Sequence, residues 1–114
     1  MKILITGAAG FIGFNFAKFL LEKNIKIIGI DNLNDYYSTK LKKNRIFQLK
    51  KFKNFMFFKF DLREQKKLNK IFNDNKFNAV FHFAAQAGVR YSVDHPRKYI
   101  DSNINGFFNI LEQI

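Results

Sequence analysis

Cysteine is absent from the 114-residue sequence, and proline occurs only once. Without cysteine there is neither a disulfide framework nor a thiolate metal site. No apolar run approaches the roughly 20 residues that a membrane-spanning helix needs. The first apolar run is broken at Thr6 and Gly7, too early for the hydrophobic region of a signal peptide. We therefore expect a cytoplasmic protein with no membrane partner.

Acidic residues are scarce, with nine Asp and Glu against 20 Lys and Arg, so the formal net charge is +11. Many of the cations fall in two segments: Lys40, Lys42, Lys43, Lys50, Lys51, Lys53, and then Lys66, Lys67 and Lys70. A basic balance occurs in nucleic-acid binders, but a charge run alone is more typical of solvated helix faces. We therefore expect these lysines to face solvent, and we expect no nucleic-acid partner.

Apolar runs alternate with helical periodicity along the whole chain. Four short apolar runs, at 2–6, 25–30, 55–60 and 79–83, predict buried strands. The segments between them predict helices over 11–23, from Ser38 or Thr39 to 51, around 68–72, and from Pro96 onward. This alternation predicts an α/β fold, a Rossmann-type doubly wound parallel sheet with strand order 3-2-1-4. A ligand would then bind where the order reverses, between strands 1 and 4.

Two of the predicted helices carry a clear apolar stripe. The stripe of the first helix comprises Ile12, Phe16, Phe19 and Leu20. The last helix has the strongest pattern in the chain, formed by Ile100, Ile104, Phe107, Phe108 and Leu111. Because apolar stripes of this spacing normally face a core, we predict that both pack against the sheet.

A glycine-rich segment, residues 6–13, joins the first strand to the first helix as Thr-Gly-Ala-Ala-Gly-Phe-Ile-Gly. Such glycines allow a tight turn, close approach of a phosphate to the backbone, and close packing of helix on strand. The helix start would direct unpaired N–H groups at the phosphate. Asp31 ends the second strand, where a carboxylate can accept hydrogen bonds from ribose hydroxyls and repel a 2′-phosphate. This βαβ unit predicts an NAD site rather than an NADP site.

Other polar residues follow the remaining strands at the same predicted edge. Asp61 and Leu62 follow strand 3, and the segment 84–86 (Ala-Ala-Gln) follows strand 4. His82 lies within an apolar strand and is interpreted as a core histidine, and no cluster has metal-ligand spacing. Tyr36 and Lys40 have the spacing of a catalytic Tyr-x-x-x-Lys, but they follow strand 2 near the adenine end of the site. We therefore assign them no catalytic role.

The motif at 6–13 resembles the TGxxGxxG form found in the extended short-chain dehydrogenase/reductase family of NAD-dependent sugar epimerases and dehydratases. Segments 31–37, 84–92 and 101–112 are most similar to UDP-glucuronate 4-epimerases, and the resemblance covers essentially the whole chain. It implies an enzyme that oxidises a nucleotide-sugar at C4 with NAD and reduces it again on the other face. Another nucleotide-sugar epimerase, a 4,6-dehydratase, or a stand-alone dinucleotide-binding module remain alternatives.

The resemblance also implies roles by position. The pyrophosphate would be held by Gly7, Gly10, Phe11, Ile12 and Gly13, the adenosine ribose by Asp31, Asn32 and Asn34, the adenine by Asp61 and Leu62, and the nicotinamide half by Ala84, Ala85, Gln86 and Asn103. Arg90 and Ser92 are assigned to anionic groups of the substrate. The family's catalytic Ser and Tyr-x-x-x-Lys belong beyond Ile114, so no catalytic residue is assigned.

We expect residues 1–114 to be the N-terminal NAD-binding part of a homodimeric enzyme. This part would be inactive alone, would lack the substrate domain and would leave strand 4 unpaired at one edge.

Overall fold

The computed structural model describes all residues, 1–114. Its elements in chain order are β1 (Lys2–Thr6), α1 (Phe11–Glu22), β2 (Lys26–Asp31), α2 (Thr39–Leu49), β3 (Phe55–Lys59), α3 (Gln65–Asp74), β4 (Ala79–His82), α4 (Val89–Asp94), α5 (Pro96–Tyr99), a π-helical segment (Ile100–Gly106) and α6 (Phe107–Leu111). The four predicted strands and first three helices are present with closely similar bounds. None of the helices has both the length and the apolar character that crossing a membrane requires.

All four strands are parallel, and their order in the sheet is β3-β2-β1-β4. On β1, Thr6 is paired with Ile30 of β2 on one side and with His82 of β4 on the other. The predicted Rossmann-type topology and strand order are therefore confirmed. Because the order reverses beside β1, the loops after β1 and β4 diverge and leave a crevice at the carboxyl edge.

Two hydrophobic cores lie on the two faces of this sheet. Alternate side chains of a strand point to opposite faces, and β1 serves both cores. On one face Ile5 packs in a cluster with Leu21 of α1 and Leu49 of α2. On the other face Leu4 packs in a cluster with Leu68 of α3. Helices therefore cover both faces, as a doubly wound sheet requires.

The predicted buried face of α1 is wrong in part. Leu20 is buried, but Ile12 and Phe19 of the same predicted stripe are 63% and 53% exposed. The buried face instead includes Gly13 and Ala17, whose small size lets the helix approach the sheet closely. Hydrophobic spacing did not reveal this because glycine and alanine contribute little to an apolar stripe.

The predicted stripe of the last helix is also wrong. Elements α5 and α6 and the π-helical segment between them run on as one continuous helix. The buried residues on its final turns are Gly106, Asn109 and Ile110. The residues of the predicted stripe are instead 42–57% exposed: Ile100, Ile104, Phe107, Phe108 and Leu111. The five residues therefore share one face of the helix, as their spacing predicts, but it is the exposed face, and the opposite face, with Gly106 and Ile110, is buried.

Candidate functional site

An open cleft lies at the carboxyl edge of the sheet, between the loops that follow the four strands. Ten of the predicted cofactor-binding residues line it: Gly7, Gly10, Asp31, Asn32, Asn34, Asp61, Leu62, Ala84, Ala85 and Gln86. These positions are far apart in sequence, but they converge because parallel strands end at the same edge. The structure therefore brings together most of the site that the sequence predicted.

The glycine turn after β1 packs backbone to backbone against its neighbours. Gly7 has a φ of 72°, and its N–H donates to the carbonyl of Ile30 at 2.8 Å. A Cβ at Gly7 would lie 2.7 Å from the amide nitrogen of Ala84, and a Cβ at Gly13 would collide with the carbonyl oxygen of Gly7. The turn therefore needs glycine at both positions for the packing of the protein itself. The same absence of side chains leaves the backbone open to the cleft.

The start of α1 faces the cleft with backbone rather than side chains. Gly10 is the N-cap and supplies no side-chain cap, so the N–H groups of the first turn stay available to an anion. The side chains of Phe11 and Ile12 are exposed and lie outside the cleft. Gly13 is buried and does not line the cleft. These three residues can therefore serve a phosphate only through their backbone.

Asp31 links the glycine turn to the loop after β2. Its Oδ2 accepts a hydrogen bond from the N–H of Ala9 at 3.0 Å, and its Oδ1 accepts one from Leu33 at 2.8 Å. A carboxylate has about four acceptor positions, so Asp31 can still accept hydrogen bonds from hydroxyl groups in the cleft. The residue therefore has a structural role that the sequence did not reveal, beside the predicted one.

Asp61, after β3, is held by a guanidinium fork. The Nε and Nη2 atoms of Arg63 donate to its two oxygens at 3.0 and 3.1 Å, and Asn32 donates at 3.4 Å. Burial raises the pKa of Asp61, but the hydrogen bonds from Arg63 and Asn32 outweigh burial and hold that pKa below its ordinary value. Nη1 of Arg63 also contacts Asp101 at 3.1 Å. Asp61 is thus ionised at neutral pH, and its contact with adenine stays a prediction.

Lys42 lines the cleft, so the prediction that this lysine faces solvent is wrong. It is only 5% exposed, and its Nζ lies 4.4 Å from the ring centroid of Tyr37, which also lines the cleft. Burial lowers its pKa, and the charge of Asp31 opposes this effect. Lys42, Ile46 and Leu49 have the spacing of one helical face, and all three are buried on α2. Burial of Lys42 was not predicted from this spacing because a lysine is normally exposed.

Asn103 lies outside the cleft and acts on it through the backbone of Gln86. Its Oδ1 accepts from the N–H of Gln86 at 2.7 Å, and its Nδ2 donates to the carbonyl of Gln86 at 3.1 Å. The predicted substrate residues Arg90 and Ser92 lie on α4, and the structure brings neither into the cleft. The Ser92 hydroxyl donates to the carbonyl of Val89. Their contact with a substrate stays a prediction.

The remaining chemistry-bearing residues have structural roles. His82 Nδ1 lies 2.7 Å from Thr6 Oγ1, and burial lowers the pKa of His82, so its imidazole is neutral at pH 7. Tyr36 precedes α2, which begins at Thr39, so Tyr36 and Lys40 do not share a helical face. No three His, Asp or Glu side chains are grouped to hold a metal ion.

The chain is similar to known proteins over almost its whole length. A family model described as GDP-mannose 4,6 dehydratase matches residues 4–114. Protein CapI of Staphylococcus aureus is 54% identical over 112 residues, which are 98% of this chain and 33% of that protein. A UDP-glucuronate 4-epimerase of Thermodesulfobacterium geofontis (strain OPF15) is 47% identical over 109 residues, 96% of this chain and 34% of that protein.

The fold of a solved structure also matches. The crystal structure of UDP-glucuronic acid 4-epimerase from Bacillus cereus, in complex with UDP-glucuronic acid and NAD, has a TM-score of 0.90 and 35% identity. The match covers 99% of this chain and 36% of that chain. The chain thus spans about a third of the length of these relatives. It belongs to the extended short-chain dehydrogenase/reductases, in the family of NAD-dependent nucleotide-sugar epimerases and dehydratases.

Proposed function

We propose that residues 1–114 form the NAD-binding domain of a nucleotide-sugar epimerase whose substrate is UDP-glucuronate. The observation that carries the proposal is the cleft, where ten predicted residues meet around the glycine turn and Asp31. The substrate is supported by the 47% identity with a UDP-glucuronate 4-epimerase. Because the chain spans about a third of its relatives, turnover is proposed for the whole enzyme.

The residues of the cleft fit a dinucleotide. The pyrophosphate would lie on the glycine turn, where Gly7 and Gly10 leave no side chain in the way. The N–H groups of Phe11, Ile12 and Gly13 would donate to it, because those of Gly7 and Gly10 already donate to the carbonyls of Ile30 and Gly7. Asp31, with Asn32 and Asn34, would accept and donate hydrogen bonds at the adenosine ribose. Asp61 and Leu62 would border the adenine, and the segment 84–86 the nicotinamide half. When bound, NAD supplies a reversible hydride acceptor.

We infer further that the proton-transfer groups of the reaction lie outside residues 1–114. The family's tyrosine base needs a lysine on the same helical face to lower its pKa, and Tyr36 and Lys40 are not so placed. The cleft residues of this chain would therefore bind and orient, while a tyrosine elsewhere removes the C4 hydroxyl proton. Arg90 and Ser92 are proposed for the anionic groups of the substrate, and the whole enzyme is proposed to be a cytoplasmic homodimer.

Calorimetric titration with NAD tests the binding role. Asp31→Asn should weaken NAD binding by about tenfold, because a charge-assisted hydrogen bond to the ribose is lost. The variant should also narrow the preference for NAD over NADP. Asp35→Asn is the matched control, since it removes the same charge from an exposed residue in the same loop. Equal affinities for the two variants, or no NAD binding by the unmodified protein, would contradict the proposal.

A second candidate is the activity of another nucleotide-sugar epimerase or of a 4,6-dehydratase, because the family model that matches carries the description GDP-mannose 4,6 dehydratase. Incubating the full-length enzyme with UDP-glucuronate, UDP-glucose and GDP-mannose separates these activities. A C4 epimer of UDP-glucuronate, identified by proton NMR, supports the first proposal. A 4-keto-6-deoxy sugar supports a dehydratase. NAD binding with no turnover of any of the three would favour a dinucleotide-binding module.

A further inference from the structure

We propose that Lys42 is the positioning residue of a polar clasp that closes across the dinucleotide groove and slows release of the dinucleotide. The clasp is the side-chain hydrogen bond between Asn34 and Gln86, together with its two anchors, Lys42 and Asn103. The inference rests on the proposed function, because it concerns retention of the NAD that the cleft is proposed to bind.

The hydrogen bond at the centre of the clasp spans the groove. Asn34 follows β2 and Gln86 follows β4, and these strands lie on opposite sides of β1. Asn34 Nδ2 donates to Gln86 Oε1 at 3.3 Å. A contact between these two loops therefore crosses in front of the glycine turn that follows β1. Asn34 and Gln86 line the same cleft as Gly7 and Gly10, so a dinucleotide on the turn would lie behind the clasp.

Lys42 fixes the orientation of the Asn34 amide. Its Nζ donates to Asn34 Oδ1 at 2.6 Å and to the Asn34 carbonyl at 2.9 Å. With Oδ1 occupied by the ammonium, the Nδ2 of Asn34 is directed to the opposite side, toward Gln86. A flipped amide would place Nδ2 against the ammonium, where two donors would face each other in a buried setting. The lysine therefore determines which group Asn34 presents to the groove.

Asn103 and Ala87 fix the orientation of Gln86 on the loop after β4. Both backbone groups of Gln86 are paired with the Asn103 side chain. Gln86 Nε2 donates to the carbonyl of Ala87 at 3.4 Å, which leaves Oε1 to accept from Asn34. Each side-chain nitrogen of Lys42, Asn34, Gln86 and Asn103 thus donates to at least one acceptor, and no buried side-chain nitrogen or oxygen lacks a partner.

The buried ammonium of Lys42 contacts the Tyr37 ring and donates its hydrogen bonds to Asn34 alone. Of the cations, only Arg63, Lys67 and Lys70 form ion pairs. Lys42 instead directs its hydrogen bonds to two oxygens of a single loop residue. Burying an ammonium without a carboxylate partner costs stability. The two hydrogen bonds to Asn34 offset part of that cost and at the same time hold the clasp in place. Opening the groove requires breaking the Asn34–Gln86 hydrogen bond, so the dissociation rate is the quantity that Lys42 should control.

The experiment measures release of NADH in a stopped-flow instrument, from the fall in fluorescence on mixing with excess NAD. Lys42→Met keeps an unbranched apolar side chain of nearly the same length and removes the ammonium. We expect its dissociation rate to rise about tenfold, with the association rate changed by less than about twofold. Lys43→Met is the matched control, because Lys43 is an exposed neighbour on α2, and it should release NADH at the unmodified rate.

A double-mutant cycle separates the clasp from direct contacts of its residues with the dinucleotide. Asn34→Ala and Gln86→Ala each break the same hydrogen bond, so the release rate of the double variant should rise by less than the product of the two single increases, whatever direct contacts each residue also loses. Equal rates for the two lysine variants, or fully additive effects of Asn34→Ala and Gln86→Ala, would overturn the clasp while leaving the proposed function intact. A protein that binds neither NAD nor NADH would overturn both.

Discussion

Gly13 shows how closely a single residue can be constrained by its neighbours. It lies inside α1, where glycine is normally less favourable than alanine. A Cβ at this position would collide with the carbonyl of Gly7. Helix propensity and packing therefore make opposite predictions for the same substitution, and the geometry of the turn decides between them.

Gly13→Ala should lower the free energy of unfolding by about 1–3 kcal/mol, because the backbone carbonyl of Gly7 cannot give way as a flexible side chain would. Gly106→Ala is the control, since its Cβ would meet its nearest atoms at an ordinary 3.5 Å. That control should be neutral or gain up to about 1 kcal/mol from helix propensity. Urea denaturation followed by circular dichroism gives both values. A stabilised Gly13→Ala variant would contradict the close packing of α1 on the turn.

His82 makes the stability of the protein depend on pH. Burial lowers its pKa below the ordinary 6.5, so the unfolded chain binds more protons than the folded one as the pH falls. Stability should therefore be highest above about pH 6.5 and should decline as the pH falls from there toward the lowered pKa.

Replacing His82 with Asn keeps a polar atom near Thr6 and removes the titration. The His82→Asn variant should lose the part of this decline that falls between pH 7 and pH 5.5, as measured by urea midpoints. His95→Asn is the control, because His95 is exposed at the start of α5, and it should keep the decline. If both variants decline as the unmodified protein does, His82 is not the group responsible.

Among the elements, the helix from Pro96 to Leu111 differs most from its sequence pattern. Asn109 and Ile110 face the interior, on the side opposite to the apolar stripe. Asn109 is satisfied there, because it donates to the carbonyl of Leu62 at 2.9 Å and accepts from Gln65 at 3.0 Å. The helix therefore buries a polar residue on one side and exposes two aromatic residues on the other.

Substitutions on the two sides of α6 test this register. Ile110→Ala should cost about 2–4 kcal/mol of unfolding free energy, because Ile110 is 1% exposed within a core cluster. Phe108→Ala should change it by less than about 1 kcal/mol, because Phe108 is 57% exposed. Chemical denaturation of both variants decides the question. A larger loss of unfolding free energy for Phe108→Ala than for Ile110→Ala would show that the apolar stripe, rather than Ile110, faces the core.

The whole molecule carries a strong excess of positive charge that its ion pairs do not balance. Its formal net charge is +11, and two of its four ion pairs, Lys67–Glu64 and Lys70–Asp74, join exposed side chains. Exposed pairs of this kind contribute little to stability. Self-repulsion among the remaining cations therefore opposes the compact state.

Screening should relieve this repulsion. Raising sodium chloride from about 0.02 M to about 0.3 M shortens the range of charge interactions, so the urea midpoint should rise. A variant with Lys50, Lys51 and Lys53 changed to Gln has a lower net charge, and its midpoint should respond less to salt. A midpoint that falls with salt in both proteins would show that attractive pairs, rather than repulsion, dominate the electrostatics.

Much of the fold follows directly from local properties of the sequence. Apolar runs and glycine turns predicted four parallel strands and their order, because a buried parallel strand needs a continuous apolar run and a right-handed crossover limits the connections. The same patterns placed Asp31, Asp61 and Gln86 at one edge. These positions were predictable because each follows a strand, and strand ends converge whatever the loops do in detail.

Only the tertiary structure determined which contacts the side chains at this edge make. The burial of Lys42, the second role of Asp31 and the action of Asn103 through Gln86 all depend on which groups meet across loops distant in sequence. The buried face of the last helix depends on Asn109, which is satisfied there only because Leu62 and Gln65 supply its hydrogen-bond partners. Periodicity reports the average geometry of one element, whereas a hydrogen bond or an irregular turn depends on atoms supplied by its neighbours.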